Sequence, residues 1–260
     1  MLIATWNVNS IRAREPRLLA WLEQHRPDVV CLQELKVADA GFPKDAVHAA
    51  GYHAEVLGQK TYNGVAILSR TKPRDVRRGL GDERLDVEAR LIAATIQSMR
   101  VVCAYVPNGD VVGSAKYEFK LDWLAAFRGY LHEDGLDARQ LVVCGDLNIA
   151  PTEADVAQPE LWGGSVLFHP EMREQFRALL DVGLVDLFRL HHAEGGAYSW
   201  WDYRNLAFPR NNGLRIDHIL ASPPAAKRCE DAWIDREARK GTKPSDHAPV
   251  VARFARVHRT

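Results

Sequence analysis

Eight short apolar runs, several of them β-branched, recur along the chain at 2–6, 29–32, 65–68, 91–96, 101–106, 141–144, 216–220 and 250–254. Most are bounded by Gly, Pro, Asn or Asp, the pattern of buried strands. Helical spacing stands out in three stretches. Residues 16–25 put Leu18, Leu19, Trp21 and Leu22 on one stripe behind Pro16, which suits a first turn. Residues 116–131 do the same with Phe119, Trp123, Leu124, Phe127 and Leu131, and residues 171–180 with Phe176, Leu179 and Leu180. Many strands with few intervening helices predict an α/β or α+β sandwich with continuous cores. The 260 residues hold no internal repeat, low-complexity tract or Gly/Ser-rich linker, so one domain spanning 1–260 is expected.

Charge and composition narrow the function classes. With 34 Lys+Arg against 34 Asp+Glu the formal net charge is +0, which excludes blanket attraction to nucleic acid; phosphate contacts must come from local patches. Apolar residues make up 47% and charged residues 26%, which removes disorder, collagen and coiled coil from consideration. No apolar run is long enough to span a bilayer, and the first residues, Met1-Leu2-Ile3-Ala4-Thr5-Trp6, lack the pattern of a secretion signal. Cys31, Cys103 and Cys144 each follow a Val-Val pair inside an apolar run, and no C-x-x-C pair occurs. Buried free thiols in a reducing, cytoplasmic setting are expected.

The chemistry lies where these runs end. They lead into Asn7, Glu34, Asp146-Leu147-Asn148 and Asp217, and Asp246-His247 precedes the last run. Singly, each has a plain reading: Asn7 closes a turn, Asp146 caps a short helix, Glu34 pairs with Arg12 or Lys36. Together they are better explained by one convergent hydrolytic site, because strand ends hold small polar groups to close tolerance. Glu34, Asp146, Asp217 and Asp246, with the amides Asn7 and Asn148, form a hard-oxygen set that favours Mg²⁺ or Mn²⁺ over zinc. Neighbouring side chains on an extended segment point apart, so the acid orienting His247 comes from another strand, with Asp217 the candidate. There is no Gly-x-Ser-x-Gly elbow and no Walker loop.

Five blocks then carry a resemblance over nearly the whole chain: Thr5-Trp6-Asn7-Val8-Asn9-Ser10-Ile11-Arg12-Ala13, Leu32-Gln33-Glu34-Leu35-Lys36, Gly145-Asp146-Leu147-Asn148-Ile149-Ala150-Pro151, Gly213-Leu214-Arg215-Ile216-Asp217 and Pro244-Ser245-Asp246-His247-Ala248-Pro249-Val250. In content and order they resemble the exonuclease III family of abasic-site endonucleases, within the DNase I-like superfamily. The resemblance implies a four-layered αββα sandwich, two facing mixed sheets flanked by helices. It also implies Mg²⁺-dependent hydrolysis of the phosphodiester 5′ to an abasic site, leaving a 3′-hydroxyl and a 5′-deoxyribose phosphate. Exonuclease action in the 3′–5′ direction and 3′-end cleaning belong to the same family. Carried over, Glu34 is the principal ligand of Mg²⁺, for which Mn²⁺ can substitute, with Asn7, Asp146, Asn148, Asp246 and His247 around it; one ion and two both stay open. Asp146 and Asn148 match the groups that activate the attacking water, Asp217 and His247 the acid–histidine pair, and Tyr105 a phosphate contact.

The expected substrate is double-stranded DNA with abasic sites or blocked 3′ ends, bound by a monomer that associates with the nucleoid and not with membranes. The stretch 70–78 has five basic groups and one acid, and offers Arg74, Arg77 and Arg78 to phosphates. Arg204, Arg210 and Arg215 form a second basic stretch. The block Tyr198-Ser199-Trp200-Trp201-Asp202-Tyr203-Arg204 resembles the family's pocket for an extruded abasic sugar, with Trp200, Leu214 and Ile216 as its apolar wall and Trp201 in the core. Two positions depart from relatives: Ser10 stands where Gly is frequent, and Asn108 where some have Gln. Two competing functions are an RNA-associated regulator that has lost its acids, disfavoured because every acid is present, and a phosphatase of inositol lipids or nucleotides.

Overall fold

The structure, a computed structural model, describes residues 1–133 and 140–255. Among these residues twelve strands form two six-stranded sheets. In spatial order the first contains β11 (Cys229–Ile234), β12 (Val250–Phe254), β1 (Leu2–Asn7), β2 (Val29–Gln33), β4 (Val65–Ser69) and β3 (His53–Leu57). The second contains β5 (Arg74–Arg78), β6 (Leu91–Ile96), β7 (Met99–Tyr105), β8 (Gln140–Asp146), β10 (Asp217–Ala221) and β9 (Val185–Asp186). The central pair of each sheet, β1–β2 and β7–β8, is parallel and its other neighbours are antiparallel, so both sheets are mixed.

Three apolar layers account for the continuous runs. Between the sheets lie Ile3, Val29, Cys31 and Ile67 from one side against Val101, Cys103, Val142, Cys144 and Ile219 from the other. Outside the first sheet, α1 (Ile11–His25) and α2 (Lys44–Ala49) cover Ala4, Trp6, Val30 and Leu32. Outside the second, α3 (Ala115–Glu133), α4 (Pro159–Trp162) and α5 (Pro170–Asp181) cover Val102, Ala104, Leu141 and Val143. The short α6 (Leu187–His191) and α7 (Pro223–Ala226) complete the helices among the described residues. Successive residues of β1, β7 and β8 thus alternate between two different cores, and both faces must be apolar. The αββα sandwich stands as expected.

All eight expected strands are present. The four not expected, β3, β5, β9 and β11, are the four sheet edges. An edge strand exposes one flank, so it carries no continuous apolar run; β5 lies within the basic stretch 70–78. The first helix begins at Ile11, five residues before the expected start, because the amides of Ser10 and Ile11 bond the carbonyls of Glu34 and Leu35. Pro16 consequently lies inside the helix rather than in its first turn. All four cysteines are free, and Cys31, Cys103 and Cys144 are buried. No helix among the described residues is long and apolar enough to cross a membrane.

Candidate active site

The period-two alternation of the strands builds the site. Val101 and Cys103, Val142 and Cys144, and Ile219 and Ala221 face the inter-sheet core, so Tyr105, Asp146 and Asp217 continue those inner faces at one end of the second sheet. Register then sets them side by side: Tyr105 pairs with Asp146, and Asp146 with Asp217. Across the gap, Asn7 continues the inner face of β1, and Glu34 follows β2 with a left-handed backbone, φ 53°. The site is the place where the inter-sheet core turns from apolar to acidic. Gly145 permits this register: a Cβ there would lie 1.8 Å from the Ala104 carbonyl oxygen.

Asn7 is the bridge. Its Nδ2 donates to Glu34 Oε1 and to Asp146 Oδ2, each at 2.9 Å, while the amide of Asn9 donates to Asn7 Oδ1 and fixes the orientation of the side chain. Tyr105 Oη donates to Glu34 Oε1 at 2.9 Å, and the amide of Asn148 donates to Asp146 Oδ1 at 3.0 Å. His247 Nδ1 lies 2.8 Å from Asp217 Oδ2, and its Nε2 lies 3.8 Å from Asp146 Oδ2. The oxygen of Asp217 that binds His247 also accepts from Ser199 Oγ at 2.6 Å. Ser199 Oγ in turn accepts the amides of Ile216 and Asp217, so its single hydrogen must point at Asp217.

Burial sets the ionisation pattern. It pushes Asp146 up to about 7 against the pull of His247. Burial works against charge on His247 too, yet Asp217 and then Asp146 raise it to about 10, so the ring is an imidazolium. Burial and the charges of Glu34 and Asp146 hold the Tyr105 phenol well above its ordinary range, as a proton donor. Glu34 is only partly buried, which raises it, but Lys36 and then Asn7 bring its carboxyl below the usual carboxylate range. Donor atoms of Glu34, Asp146 and His247 lie within 4.8 Å of one another. The carboxylates of Glu34 and Asp146 are a donor set that fits a divalent cation with oxygen preference, while the protonated His247 ring and Asn7 Nδ2 stand beside them as hydrogen-bond donors and not as ligands.

Not every expected residue joins this cluster. Asp246 turns aside: its Oδ1 accepts from Asn9 Nδ2 and its Oδ2 from Trp200 Nε1, at 2.8 and 3.1 Å. Asn148 locks its amide against the Val106 carbonyl and receives Asn108 Nδ2 at 3.2 Å. Trp200 is half-buried at the rim, edge-on to Trp162, whereas Leu214 and Ile216 are 0% and 2% exposed; they back the pocket wall and do not line it. Trp201 is core, as expected. Arg215 is also withdrawn from the surface, fully buried and paired with Asp155 and Asp186 at 2.6 and 2.8 Å. An apolar-flanked Arg followed by Asp looked like a surface charge; its acidic partners were more than 25 residues away in sequence. Arg74 bonds the Gln97 carbonyl at the end of β5 remote from Tyr105, Arg77 is exposed, and Arg78 sits nearer the site, tied to Glu55. Arg204 and Arg210 are exposed.

Three supporting residues carried no recognisable signal in sequence. Lys120, fully buried, donates to the carbonyls of Asn108, Asn148 and Val166 at 3.0, 2.8 and 3.1 Å, bracing three loops from beneath; burial lowers it to about 7. Arg90 lies over the Tyr105 ring at 4.8 Å and bonds its carbonyl. Ser199 fixes Asp217. Beside the acids opens a cleft of about 740 Å³, bordered by Tyr62, Arg90, Tyr105, Asn108, Lys116 and Phe119.

Comparison with known proteins agrees with this geometry. Residues 4–247 match the Endonuclease/Exonuclease/phosphatase family. The chain is 37% identical to exodeoxyribonuclease III of Haemophilus influenzae over 98% of its own length and all of that protein's. An AP endonuclease from Archaeoglobus fulgidus superimposes with TM-score 0.95 at 42% identity, over 98% of this chain and 99% of that one. A 3′ phosphatase from Neisseria, bound to product DNA hairpin, gives 0.96 at 44% with the same coverage. The chain therefore belongs to the endonuclease/exonuclease/phosphatase family and, within it, to the exonuclease III group of abasic-site endonucleases.

Proposed function

We propose that this nuclease hydrolyses, as a Mg²⁺-dependent monomer, the phosphodiester 5′ to an abasic site in duplex DNA, with 3′-end processing at the same centre. One observation supports the reading most: an ionisable base, an imidazolium and a cluster of divalent-cation donors face one point beside an open cleft. Glu34 would be the main ligand, with Asp146 next to it; Asn7 and the protonated His247 flank the ion as hydrogen-bond donors, and Asn148 and Asp246 lie farther out. Bound there, Mg²⁺, or Mn²⁺ in its place, would offset charge on the phosphate and on the leaving 3′ oxygen.

The rest is done by the chain's own groups. Asp146, poised near neutral pH, takes a proton from the attacking water. His247 presents its Nε2–H to a phosphate oxygen, held by Asp217 and Ser199. Tyr105 keeps its phenolic proton and donates beside it. Asn148 holds Asp146 through its amide, and Asn108 sits at the cleft edge. Preorganised donors of this kind supply most of the stabilisation of a charged transition state. Trp200 forms the rim that favours a sugar without its base, and Arg78, Arg77 and Arg204 reach for flanking phosphates.

The test is a panel of duplexes bearing an abasic site, a nick, a blocked 3′ terminus or uracil, with Mg²⁺ or with a chelator. The expected result is metal-dependent incision at the abasic site giving a 3′-hydroxyl. A folded protein that leaves the abasic duplex intact in Mg²⁺ would overturn the proposal.

A further inference from the structure

The corner that carries Glu34 is held in uncommon backbone. Asn9, Ser10, Glu34 and Lys36 all have positive φ, at 44°, 87°, 53° and 56°. Left-handed geometry costs energy at residues other than glycine and persists where surrounding structure enforces it. Here the amides of Ser10, Ile11 and Lys36 bond the carbonyls of Glu34, Leu35 and Asn63. The result is an aimed lysine. Lys36 Nζ sits 2.8 Å from Glu34 Oε2 and 2.6 Å from Asn9 Oδ1, with its side chain 28% exposed.

Glu34 Oε1 already accepts from Asn7 Nδ2 and Tyr105 Oη. Both oxygens of the carboxylate are therefore engaged by donors from within the chain, and the acceptor position that remains, on Oε2, lies beside the Lys36 ammonium, so a divalent cation reaching it meets that charge. Asn7 and Tyr105 are neutral; Lys36 brings a full charge. Asn9 extends the contact outward, since its Nδ2 bonds Asp246, which accepts Trp200 Nε1.

We propose that Lys36 is a resident counter-cation: its ammonium neutralises Glu34 when no divalent ion is bound, and it competes with that ion for the carboxylate. When the ion enters, Asn9 Oδ1 keeps the ammonium tethered close by. Lys36 thus sets the affinity of the site below what its oxygen donors alone would give. This inference rests on reading Glu34 and Asp146 as the ion's ligands.

The test is Mn²⁺ binding to the full chain in the absence of DNA, followed by the electron paramagnetic resonance signal of free Mn²⁺. Removing a like charge within a few ångströms of a partly solvated ion is expected to tighten binding about tenfold, so Lys36→Met has a Kd about tenfold below wild type. Lys36→Gln does the same, and Lys36→Arg, which keeps the charge, stays within about twofold of wild type on the same argument. Melting curves recorded alongside confirm the folded state of each variant. If wild type binds Mn²⁺ and Glu34→Gln loses it, but Lys36→Met binds equally or more weakly, the counter-cation role is wrong and the ion site stands. If wild type and Glu34→Gln bind alike, the ion-site reading itself fails.

Discussion

The Asp217–His247 pair gives a prediction that can be worked through atom by atom. In Asp217→Asn, Ser199 still points its only hydrogen at the Oδ2 position, because its oxygen is occupied by two amides. The asparagine must therefore place its carbonyl oxygen there and continue to accept His247 Nδ1–H at about the present 2.8 Å. Lost is the charge that does most to keep the buried ring cationic at up to about pH 10. With only Asp146 and Asp246 left to favour the cation against burial, the imidazole turns neutral near physiological pH, and its Nε2 then carries a lone pair where a donor is required. Removing one preorganised donor to a developing oxyanion typically costs about 10²–10³ in rate, or about 3–4 kcal/mol. The assay is single-turnover cleavage of a duplex with one abasic site, enzyme in excess, from pH 6 to 10. The variant-to-wild-type ratio isolates the effect of the substitution at each pH. That ratio is predicted to be lowest near pH 8–9 and to recover toward pH 6 as the ring regains its proton. A loss below about tenfold, or a ratio flat across the range, would refute the imidazolium role.

Other consequences follow from the same framework. Below about pH 6.5 the pair's contribution to folding is fully present, and it fades as pH rises toward 10, so urea melts of wild type and Asp217→Asn should converge at alkaline pH. Asp155→Asn should destabilise the fold by about 3–5 kcal/mol at pH 7, because it leaves Arg215 and Arg189 short of a buried anion. Asp155 titrates near 2 in the fold, held down by these arginines against its burial, so the difference in urea midpoint should vanish as pH falls from 4 to 2. Lys120→Met strands three carbonyls, at about 2–4 kcal/mol of stability in denaturant titrations. It should also slow cleavage about tenfold by loosening the Asn148 backbone, whose amide holds Asp146, read in single-turnover assays. Gly145→Ala drives a methyl group into the Ala104 carbonyl and should prevent folding, read as loss of the cooperative melt.

The interior of the sandwich was legible in the sequence because buried strands must be apolar on both faces, and the eight runs are the eight inner strands. The edges were not, since β5 exposes four of its five residues and β3 fully buries only Val56, so neither leaves a run to read. Asn7, Asp146 and Asp217 were visible for a related reason: each breaks an apolar run at its end. What composition and spacing could not show is the cross-strand register that puts Tyr105, Asp146 and Asp217 in a row, or the face on which each lies. Glu34 was correctly paired with Lys36 as one option, but not as a contact inside the site. Arg215 and Lys120 were invisible as buried groups because charge in a sequence reads as surface. Only partners distant along the chain make their burial tolerable: two carboxylates for the arginine, three carbonyls for the lysine. Leu214 and Ile216 illustrate the converse, since apolar residues next to a site need not touch its ligand.

Anomalous diffraction from a crystal soaked in Mn²⁺ addresses the convergence of these side chains most directly. A peak about 2 Å from a Glu34 carboxylate oxygen, close to Asp146 and with the Lys36 ammonium moved off Glu34, is the predicted result. Density for the ion at some other acidic surface, with Glu34 still joined to Lys36, would contradict it.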